Sequence, residues 1–244
     1  MKRQLTLKIG DYLNTAANKK YLNEEMFSVI APKYDRITRL FSFWQDAGWK
    51  RGLIAVLPPI LAPHCLDLAC GTGDLCFLLA DKYHKGDITG LDLTEDMLVL
   101  ARGANRYPNI RFVKGDMGQL DALPDSMDII TGGYALRNAP DLKQAIAEIY
   151  RVLKPGGTAA FLDFSKPTNI LAQKVEYYIL KGWTGLWGWV LHHNHEVYSY
   201  IAESLRMFPD RAVTQQIFIQ QGFSIVTSRL HFLGITETLI VQKK

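Results

Sequence analysis

The feature that most constrains the fold is an alternation of short apolar segments with helical segments across residues 64–165. Five segments predict strands: HCLDLAC (64–70), DITGLDL (87–93), IRFVKGDM (110–117), SMDIITGGYAL (126–136) and TAAFLDFS (158–165). Three predict helices: DLCFLLADKY (74–83), TEDMLVLARGA (94–104) and DLKQAIAEIYRVLKPGG (141–157). Strands that alternate with helices of this length predict an α/β fold, a mostly parallel sheet covered on both faces.

The two ends of the chain depart from this alternation. Residues 21–58 predict helices in pieces with a break at Pro32, and residues 168–221 predict further helices rich in Trp and Tyr. The last segment, GFSIVTSRLHFLGITETLIVQKK, predicts two antiparallel strands joined at Gly234. We therefore predict one domain over residues 1–244, with 21–58 as an N-terminal helical lid and 168–221 as a helical cap insertion.

Composition excludes several classes of protein. The chain is 48% apolar and 21% charged, as in ordinary globular domains, and its net charge of +4 is too dispersed to predict a nucleic-acid partner. No apolar run reaches the ~18–20 residues that span a bilayer, and the amino-terminal segment lacks a signal-peptide core. The spacing of Cys65, Cys70 and Cys76 fits no metal site. It predicts buried thiols, no metal and a cytoplasmic location.

The glycine turn after the first predicted strand indicates a ligand site. A strand that turns through glycines into a helix presents backbone N–H groups and a positive helix end, and Gly71 and Gly73 permit that tight turn. A dinucleotide fingerprint would need a third glycine, but Cys76 stands there. Asp67, just before the turn, would repel a pyrophosphate but would suit an ammonium group.

Acidic residues follow three successive strands, at the sheet edge where ligands of open α/β sheets bind. Asp92 ends the second strand, the position from which an acid binds two ribose hydroxyls. Asp116 lies at the end of the third strand, where its carboxylate or a neighbouring backbone amide could contact the amine of an adenine. Met97 and Met117 are either ring-packing or core residues. An amine and a ribose without a phosphate between them describe S-adenosylmethionine better than a nicotinamide dinucleotide.

The chain resembles the ubiquinone/menaquinone biosynthesis C-methyltransferases (UbiE-like) over roughly residues 24–244. The resemblance lies in IAPKYDRI, LDLACGTGD, GLDLTEDML, ALRNAPD, YRVLKPGG, LDFSKP and YSYIAESLRMFPD. Many class I methyltransferases share the glycine and RVLKPGG motifs, whereas LRN, FSKP and the last motif are more specific. The resemblance implies a Rossmann-like seven-stranded fold and methyl transfer to an aromatic ring carbon of a prenylated quinol.

By matched position, the resemblance implies contacts to S-adenosylmethionine from Tyr34, Thr72, Asp92, Asp116 and Met117. It also implies that Arg137 and Asn138 lie at the active site. Arg137, which stays protonated, would stabilise the ionised acceptor oxygen, and Asn138 would orient it. The structural alternative is that Arg137 caps a strand end or pairs with Asp141.

The segments expected to line the acceptor pocket depart from the family pattern. Thr38 stands where the family usually has Asn, and Trp44 and Asp46 stand where it has Gly and His. Ala135 is also substituted, and LKGWTGLWGWVL (180–191) replaces a Pro-containing stretch. These departures predict an altered acceptor. They leave two positions open for Trp44, which either fills part of the pocket or points away and packs under the cap.

The proton acceptor stays open at this level. The candidates are Asp46, Asp163, His192, His193, His195 and Glu196. The aromatic segment with Trp183, Trp187 and Trp189 is either a buried cluster or an entrance that contacts a membrane surface. The oligomeric state is open, a dimer included.

Two other functions remain as alternatives. One is a small-molecule C- or O-methyltransferase of secondary metabolism on the same scaffold, and the other is a non-catalytic S-adenosylmethionine-binding module. A nucleic-acid methyltransferase is disfavoured, because TGGYALRNAP lacks an Asn/Asp-Pro-Pro-aromatic turn.

Overall fold

A seven-stranded sheet lies at the centre of the computed structural model, which describes residues 12–192 and 196–244. Its strands are β1 His64–Leu68, β2 Asp87–Asp92, β3 Ile110–Lys114, β4 Met127–Gly133, β5 Leu153–Phe164, β6 Phe223–His231 and β7 Thr236–Lys243. They lie in the order β3-β2-β1-β4-β5-β7-β6. Strand β7 runs antiparallel to both of its neighbours, β5 and β6, and the pairs among β1 to β5 are parallel. This arrangement confirms the predicted α/β class and the predicted carboxyl-terminal strand pair.

Nine helices are assigned in the described residues. They are α1 Ala16–Ile30, α2 Tyr34–Phe41, α3 Asp46–Ala55, α4 Asp74–Lys82, α5 Glu95–Ala104, α6 Leu142–Val152, α7 Ile170–His192, α8 Glu196–Met207 and α9 Arg211–Gln221. Short 3-10 turns occupy Ala31–Lys33, Leu136–Asn138 and Phe232–Gly234. None of the described helices is long and apolar enough to cross a membrane.

The sheet has an apolar core on each face. On one face, Ile146 and Ile149 of α6 pack with Phe218 of α9, and on the other, Leu53 of α3 packs with Leu79 of α4. The three cysteines lie buried in this second core as free thiols, as predicted. Burial on both faces explains why the central strands are continuous apolar runs.

Strand order places the ligand edge. The chain passes from β1 outward to β2 and β3, then returns to the other side of β1 with β4. Such a reversal opens a crevice at the carboxyl ends of the strands, because the flanking connections diverge there. The glycine turn after β1 and the 3-10 turn Leu136–Asn138 after β4 both lie at this edge.

Several element boundaries differ from the predictions. The strands predicted over 64–70, 110–117 and 126–136 end earlier, at Leu68, Lys114 and Gly133. Pro32 breaks the amino-terminal helices for only one 3-10 turn, Ala31–Lys33, because proline is tolerated in a first turn. Helix α6 ends at Val152, and β5 begins at once at Leu153 rather than at residue 158. The Pro-Gly-Gly segment therefore lies within β5, where the pairing with β4 shifts register.

Candidate active site

A narrow cleft, called the sheet-edge cleft, lies at the carboxyl ends of β1 to β4. Six of the residues predicted to bind the methyl donor line it: Tyr34, Gly71, Asp92, Met97, Asp116 and Met117. Asn23 and Phe27 of α1 line the same cleft. Helix α1 therefore contributes to the wall of this cleft.

Asp92 connects the ends of β1 and β2. Its Oδ2 accepts a hydrogen bond from the Gly71 backbone N–H and its Oδ1 one from that of Thr94, both at 2.8 Å. Gly71 and Gly73 have φ of +54° and +94°, a left-handed region that glycine adopts without strain. Burial raises the pKa of Asp92, and the Thr94 and Gly71 N–H groups oppose that rise. The Thr94 hydroxyl and the Leu93 N–H also donate to this carboxylate, and these bonds oppose the rise in its pKa as well.

Asp67 and Thr72 lie outside the lining of the sheet-edge cleft. Asp67 is 1% exposed and accepts hydrogen bonds from Thr131 Oγ1 at 2.7 Å and Cys76 Sγ at 3.4 Å. Burial raises its pKa to about 6. Thr72 Oγ1 donates to Asp35 Oδ1 at 2.7 Å. The ligand contacts assigned to Asp67 and Thr72 from the sequence therefore stay predictions.

Asp116 is held at the cleft by two contacts. Its Oδ1 accepts from the Gly118 backbone N–H at 2.8 Å, and its Oδ2 lies 2.8 Å from Lys20 Nζ of α1. Met97 packs in a small core with Ile30 and also lines the cleft. Met97 is therefore a core residue that also lines the cleft, and its packing against an adenine ring stays a prediction.

A larger chamber of about 530 Å³, called the apolar cavity, adjoins this cleft. Its walls come from α1, α2, α7, α8 and the ends of β5 and β7, and they are mostly aliphatic and aromatic. Phe43, Ile179 and Leu186 line it while remaining 49%, 59% and 52% exposed, so they form its mouth.

Four residues line both spaces: Phe27, Tyr34, Tyr134 and Asn138. The Tyr34 ring covers the glycine turn, since a Cβ built on Gly71 would lie 3.7 Å from Tyr34 Cε1. Burial raises the pKa of Tyr34 to about 12, so its phenol stays neutral. The four shared residues mark where a group in the cleft meets a group in the cavity.

A buried ion-pair network fixes Tyr134 at this junction. The Tyr134 hydroxyl donates to Asp46 Oδ1 at 2.8 Å, and Asp46 Oδ2 pairs with Lys50 Nζ at 2.8 Å. Lys50 also pairs with Asp74, directly after the glycine turn, at 3.0 Å. Burial lowers the pKa of Lys50, but the two carboxylates outweigh it and the pKa is raised. Asp46, a candidate base, is thus engaged by Tyr134 and Lys50 and does not line the cavity.

Arg137 is 3% exposed and lines the apolar cavity. Its Nη1 donates to Ser204 Oγ, and its guanidinium carbon lies 5.2 Å from the centre of the Phe164 ring and 5.6 Å from that of Tyr200. Asp141, its suggested partner, instead caps α6. Arg137 is thus a cation held among aromatic rings at the cavity wall.

Asp163 lies behind Arg137 rather than in the cavity. Its Oδ2 accepts the Arg137 backbone N–H at 3.2 Å and its Oδ1 that of Phe164 at 2.8 Å. Burial raises the pKa of Asp163, while the Arg137 charge opposes the rise. Asp163 therefore holds the turn after β4, and its geometry does not suit the role of proton acceptor.

Asn138 is anchored on three sides. Its Nδ2 donates to the Tyr134 carbonyl at 2.8 Å, and its Oδ1 accepts from the Tyr200 hydroxyl at 3.1 Å. Its own carbonyl accepts from Asn23 Nδ2 of α1 at 2.7 Å. These bonds fix the amide at the junction of the two spaces.

The prediction that Trp44 fills the acceptor pocket is wrong. Trp44 is 70% exposed and does not line the cavity. Phe43 and Trp44 have φ of 49° and 62°, and it is Phe43 that lines the cavity, its ring stacked on Trp183 at 5.4 Å. Of the other departures, Thr38 and residues 182–184 line the cavity, whereas Ala135 is buried away from it.

Several candidate residues cannot be placed. The side chains of Trp189, His192, His193, His195 and Glu196 lie outside the part of the chain that the structure describes. Trp183 and Trp187 pack edge to face at 5.8 Å, as an aromatic cluster in α7.

Comparison with known proteins decides the family. The model of the ubiE/COQ5 methyltransferase family matches residues 14–243. The chain belongs to the ubiE/COQ5 methyltransferase family. Two relatives named demethylmenaquinone methyltransferase are each 32% identical to it. The Staphylococcus epidermidis protein aligns over 89% of this chain and 91% of its own length, and the Listeria monocytogenes protein over 90% and 94%.

Solved structures agree with this family at the level of the fold. An S-adenosylmethionine-dependent methyltransferase from Mesorhizobium loti superposes with a TM-score of 0.60 and 19% identity, covering 81% of this chain and 98% of its own. One from Thermotoga maritima superposes with a TM-score of 0.62 and 18% identity, and the match covers 90% of this chain and 100% of the other. As a member of the ubiE/COQ5 methyltransferase family, the protein is a methyltransferase, and its methyl donor is S-adenosylmethionine.

The sequence did not predict two residues at the junction of the cleft and the cavity, Tyr134 and Phe27. Tyr134 had a signal, since it lies near the carboxyl end of the fourth predicted strand, and the observed strand β4 ends directly before it at the ligand edge. Phe27 had none, because nothing local shows that α1 lies across the sheet edge. Both line the cleft and the cavity.

Proposed function

We propose that this protein methylates a ring carbon of an isoprenoid-substituted naphthoquinol, the acceptor that the name demethylmenaquinone methyltransferase implies for its relatives. The observation that carries the proposal is the apolar cavity of about 530 Å³ that shares four wall residues with the sheet-edge cleft. A cavity of this size and lining suits a fused aromatic ring with the start of an apolar tail.

We assign the cleft residues to the donor. Asp92 accepts the ribose hydroxyls, Met97 and Met117 pack against adenine, and Asp116 lies at the adenine amine. Tyr34 covers the donor at the glycine turn. The support is that these residues line one cleft at the switch point of the sheet.

Arg137 and Asn138 are assigned to the acceptor. When bound, S-adenosylmethionine supplies an electrophilic methyl group. A ring carbon attacks it well only when the neighbouring phenol is ionised, and for a phenol of pKa ~10 ionisation at pH 7 costs about 4 kcal/mol. A permanent cation at the cavity wall lowers that cost, since it stabilises the phenolate. Asn138, fixed by three hydrogen bonds, is placed to orient the oxygen.

We further propose that the cavity opens towards a membrane surface. Its mouth residues Phe43, Ile179 and Leu186 are about half exposed. Two more exposed apolar side chains directly follow residues that line the cavity: Trp44 follows Phe43, and Leu233 follows Phe232. An isoprenoid quinol resides in the bilayer, so an apolar rim there shortens its path into the cavity.

The test is methyl transfer from labelled donor to a chemically reduced naphthoquinone that lacks the ring methyl group and carries a short isoprenoid tail. The expected product is methylated on carbon, identified by mass spectrometry and NMR. A matched benzoquinol measures ring preference. Methylation on oxygen, or no transfer to either quinol, would contradict the proposal and favour the secondary-metabolism alternative.

Arg137→Lys tests the assigned chemistry. Lysine keeps the charge but not the guanidinium donors, and we expect kcat to fall about 10²-fold. The KM for S-adenosylmethionine should stay within about twofold, because the assigned partner is the acceptor. An equal loss in donor affinity and in Tm would make Arg137 a structural residue.

A further inference from the structure

Tyr200 of α8 joins three elements that meet at the edge of the sheet. It is 1% exposed and belongs to the lining of the apolar cavity. Its hydroxyl donates to Asn23 Oδ1 of α1 at 2.5 Å and to Asn138 Oδ1, in the turn after β4, at 3.1 Å. Asn23 lines the sheet-edge cleft, and Asn138 lines both spaces. One hydroxyl therefore connects a residue of the cleft with the residue at the junction of cleft and cavity.

The two amide groups are held with their oxygens towards this hydroxyl. Asn23 Nδ2 donates to the Asn138 carbonyl at 2.7 Å, and Asn138 Nδ2 donates to the Tyr134 carbonyl at 2.8 Å. Because each amide nitrogen is engaged by a backbone carbonyl, each amide oxygen is left facing Tyr200. Burial raises the pKa of Tyr200 to about 12, so its phenol keeps the proton at neutral pH.

The Tyr200 hydroxyl has one proton for two acceptors. The contact to Asn23 is the shorter of the two, so α1 in its observed position takes the larger share of that proton. If α1 moved away, the proton would serve Asn138 alone, and the Asn138 carbonyl would lose its bond from Asn23. The hydrogen bonds that orient Asn138 therefore depend on whether α1 lies against the sheet edge.

The ring of Tyr200 is held by contacts that do not involve its hydroxyl. It packs with Leu22 and Met26 of α1 in a small core and lies edge to face with Phe27 at 6.4 Å. Phenylalanine at this position keeps these ring contacts and loses only the hydrogen bonds. The role of the hydroxyl can therefore be tested without removing the packing.

We propose that Tyr200 is a positioning residue for methyl transfer, whose hydroxyl makes the orientation of the Asn138 amide depend on the seated position of α1. This inference rests on the proposed function, in which Asn138 orients the acceptor oxygen. Helix α1 forms part of the wall of the cleft assigned to the donor. Tyr200 thus joins closure over the donor to alignment of the acceptor, and misalignment of reacting atoms by even ~1 Å is costly in rate.

The first test is a double-mutant cycle on methyl transfer from labelled S-adenosylmethionine to the reduced naphthoquinone with a short isoprenoid tail. Tyr200→Phe should lower kcat about tenfold, because Asn138 loses one of its hydrogen bonds. The KM for S-adenosylmethionine should change less than about threefold, since Lys19 and Lys20 still hold α1. In an Asn138→Ala background, Tyr200→Phe should lower kcat no further, because the hydroxyl acts through Asn138.

A second cycle measures the contact with α1. Tyr200→Phe should speed release of S-adenosylhomocysteine about threefold in stopped-flow experiments, and it should add nothing in an Asn23→Ala background. Tyr177→Phe is the matched control. Its hydroxyl also bonds to α8, at Glu203 Oε1 2.6 Å away, but in the described part of the chain Tyr177 lies outside the lining of both spaces. This control should keep the wild-type kcat and release rate.

The outcomes separate this inference from the proposed function, with all rates measured at a temperature where thermal denaturation shows every variant to be folded. Wild-type transfer to the quinol with an unchanged kcat in Tyr200→Phe would overturn the inference alone. Equal losses from Tyr200→Phe with and without Asn138, or an unchanged release rate, would also overturn it, because the hydroxyl would then not join Asn138 to α1. No transfer by the wild type would overturn the proposed function and, with it, this inference.

Discussion

At the scale of single residues, Asp92 has two roles that a substitution must separate. Its oxygens hold the Gly71 and Thr94 N–H groups, which sets the glycine turn, and they face the cleft assigned to the donor. Replacement by alanine would remove both the turn's anchor and the ligand's acceptor. The isosteric amide keeps one acceptor oxygen, so it retains one of these two turn bonds, removes the charge and disturbs the turn less than alanine does.

Asp92→Asn should weaken S-adenosylhomocysteine binding at least tenfold in calorimetry, because the charged acceptor of two hydroxyls becomes a neutral amide with one oxygen. Asp87→Asn, at the opposite end of the same strand β2, is the control and should bind like the wild type. Unchanged affinity in Asp92→Asn would remove this residue from the donor site.

Asp67 offers a pH test of a buried acid. Its folded pKa of about 6 exceeds the unfolded value near 3.9, so the folded state holds the extra proton between these values. The free energy of unfolding then falls as pH rises through about 4 to 6. Relative to Asp67→Asn, the free energy of unfolding of the wild type should fall by about 2 kcal/mol between pH 4 and pH 7, as measured by urea denaturation.

Parallel stability profiles of the two proteins would contradict this account of Asp67. Calorimetry on the same variant tests its predicted ligand role as well. If Asp67 binds the donor ammonium group, Asp67→Asn weakens donor binding; if Asp67 serves only Thr131 and Cys76, donor affinity is unchanged.

At the scale of elements, helix α1 is held against the sheet edge by polar contacts. Lys19 Nζ donates to the carbonyls of Arg137 at 2.9 Å and Ala139 at 2.7 Å, and Lys20 pairs with Asp116 at 2.8 Å. Burial and the Arg137 charge lower the pKa of Lys19 to about 8. Because α1 also lines the cleft through Asn23 and Phe27, these contacts oppose the release of a bound donor.

Lys19→Met should speed release of S-adenosylhomocysteine about tenfold in stopped-flow experiments, since two buried hydrogen bonds are lost. Lys20→Met should speed it less than about threefold, because its ion pair is partly exposed and screened. Equal rates in all three proteins would show that α1 does not limit release.

The sequence predicts the secondary-structure elements better than the contacts between them. The five central strands and the final hairpin are local apolar patterns bounded by turns, so they were predictable. The position of α1 was not, because it depends on Lys19 and Asn23 reaching carbonyls of the distant turn after β4. Likewise, nothing in the sequence at Phe43 and Trp44 tells which ring faces inward, because both lie in a turn where each has a positive φ.

At the scale of the whole molecule, exposed apolar side chains beside the cavity mouth predict lipid binding. Leu233 is fully exposed on the turn that carries Phe232 into the cavity wall. Leu233→Asp should reduce sedimentation with anionic lipid vesicles several-fold, since it places a carboxylate at the rim. Leu61→Asp is the control, because it makes the same substitution at an exposed leucine before β1, and it should not reduce sedimentation with the vesicles. Equal losses in both variants, or no vesicle binding by the wild type, would contradict a membrane-facing mouth.

The four residues shared by the cleft and the cavity have a thermodynamic consequence. Phe27, Tyr34, Tyr134 and Asn138 cannot adjust to one ligand without changing the wall seen by the other. If the donor and the acceptor bind in these two spaces as proposed, their binding equilibria are linked, and linkage is reciprocal: any factor by which the donor tightens acceptor binding is the factor by which the acceptor tightens donor binding. Loss of the methyl group would then turn the donor into a ligand with a different fit to the same walls, so the proposal predicts that the chemical step changes the affinity for the quinol.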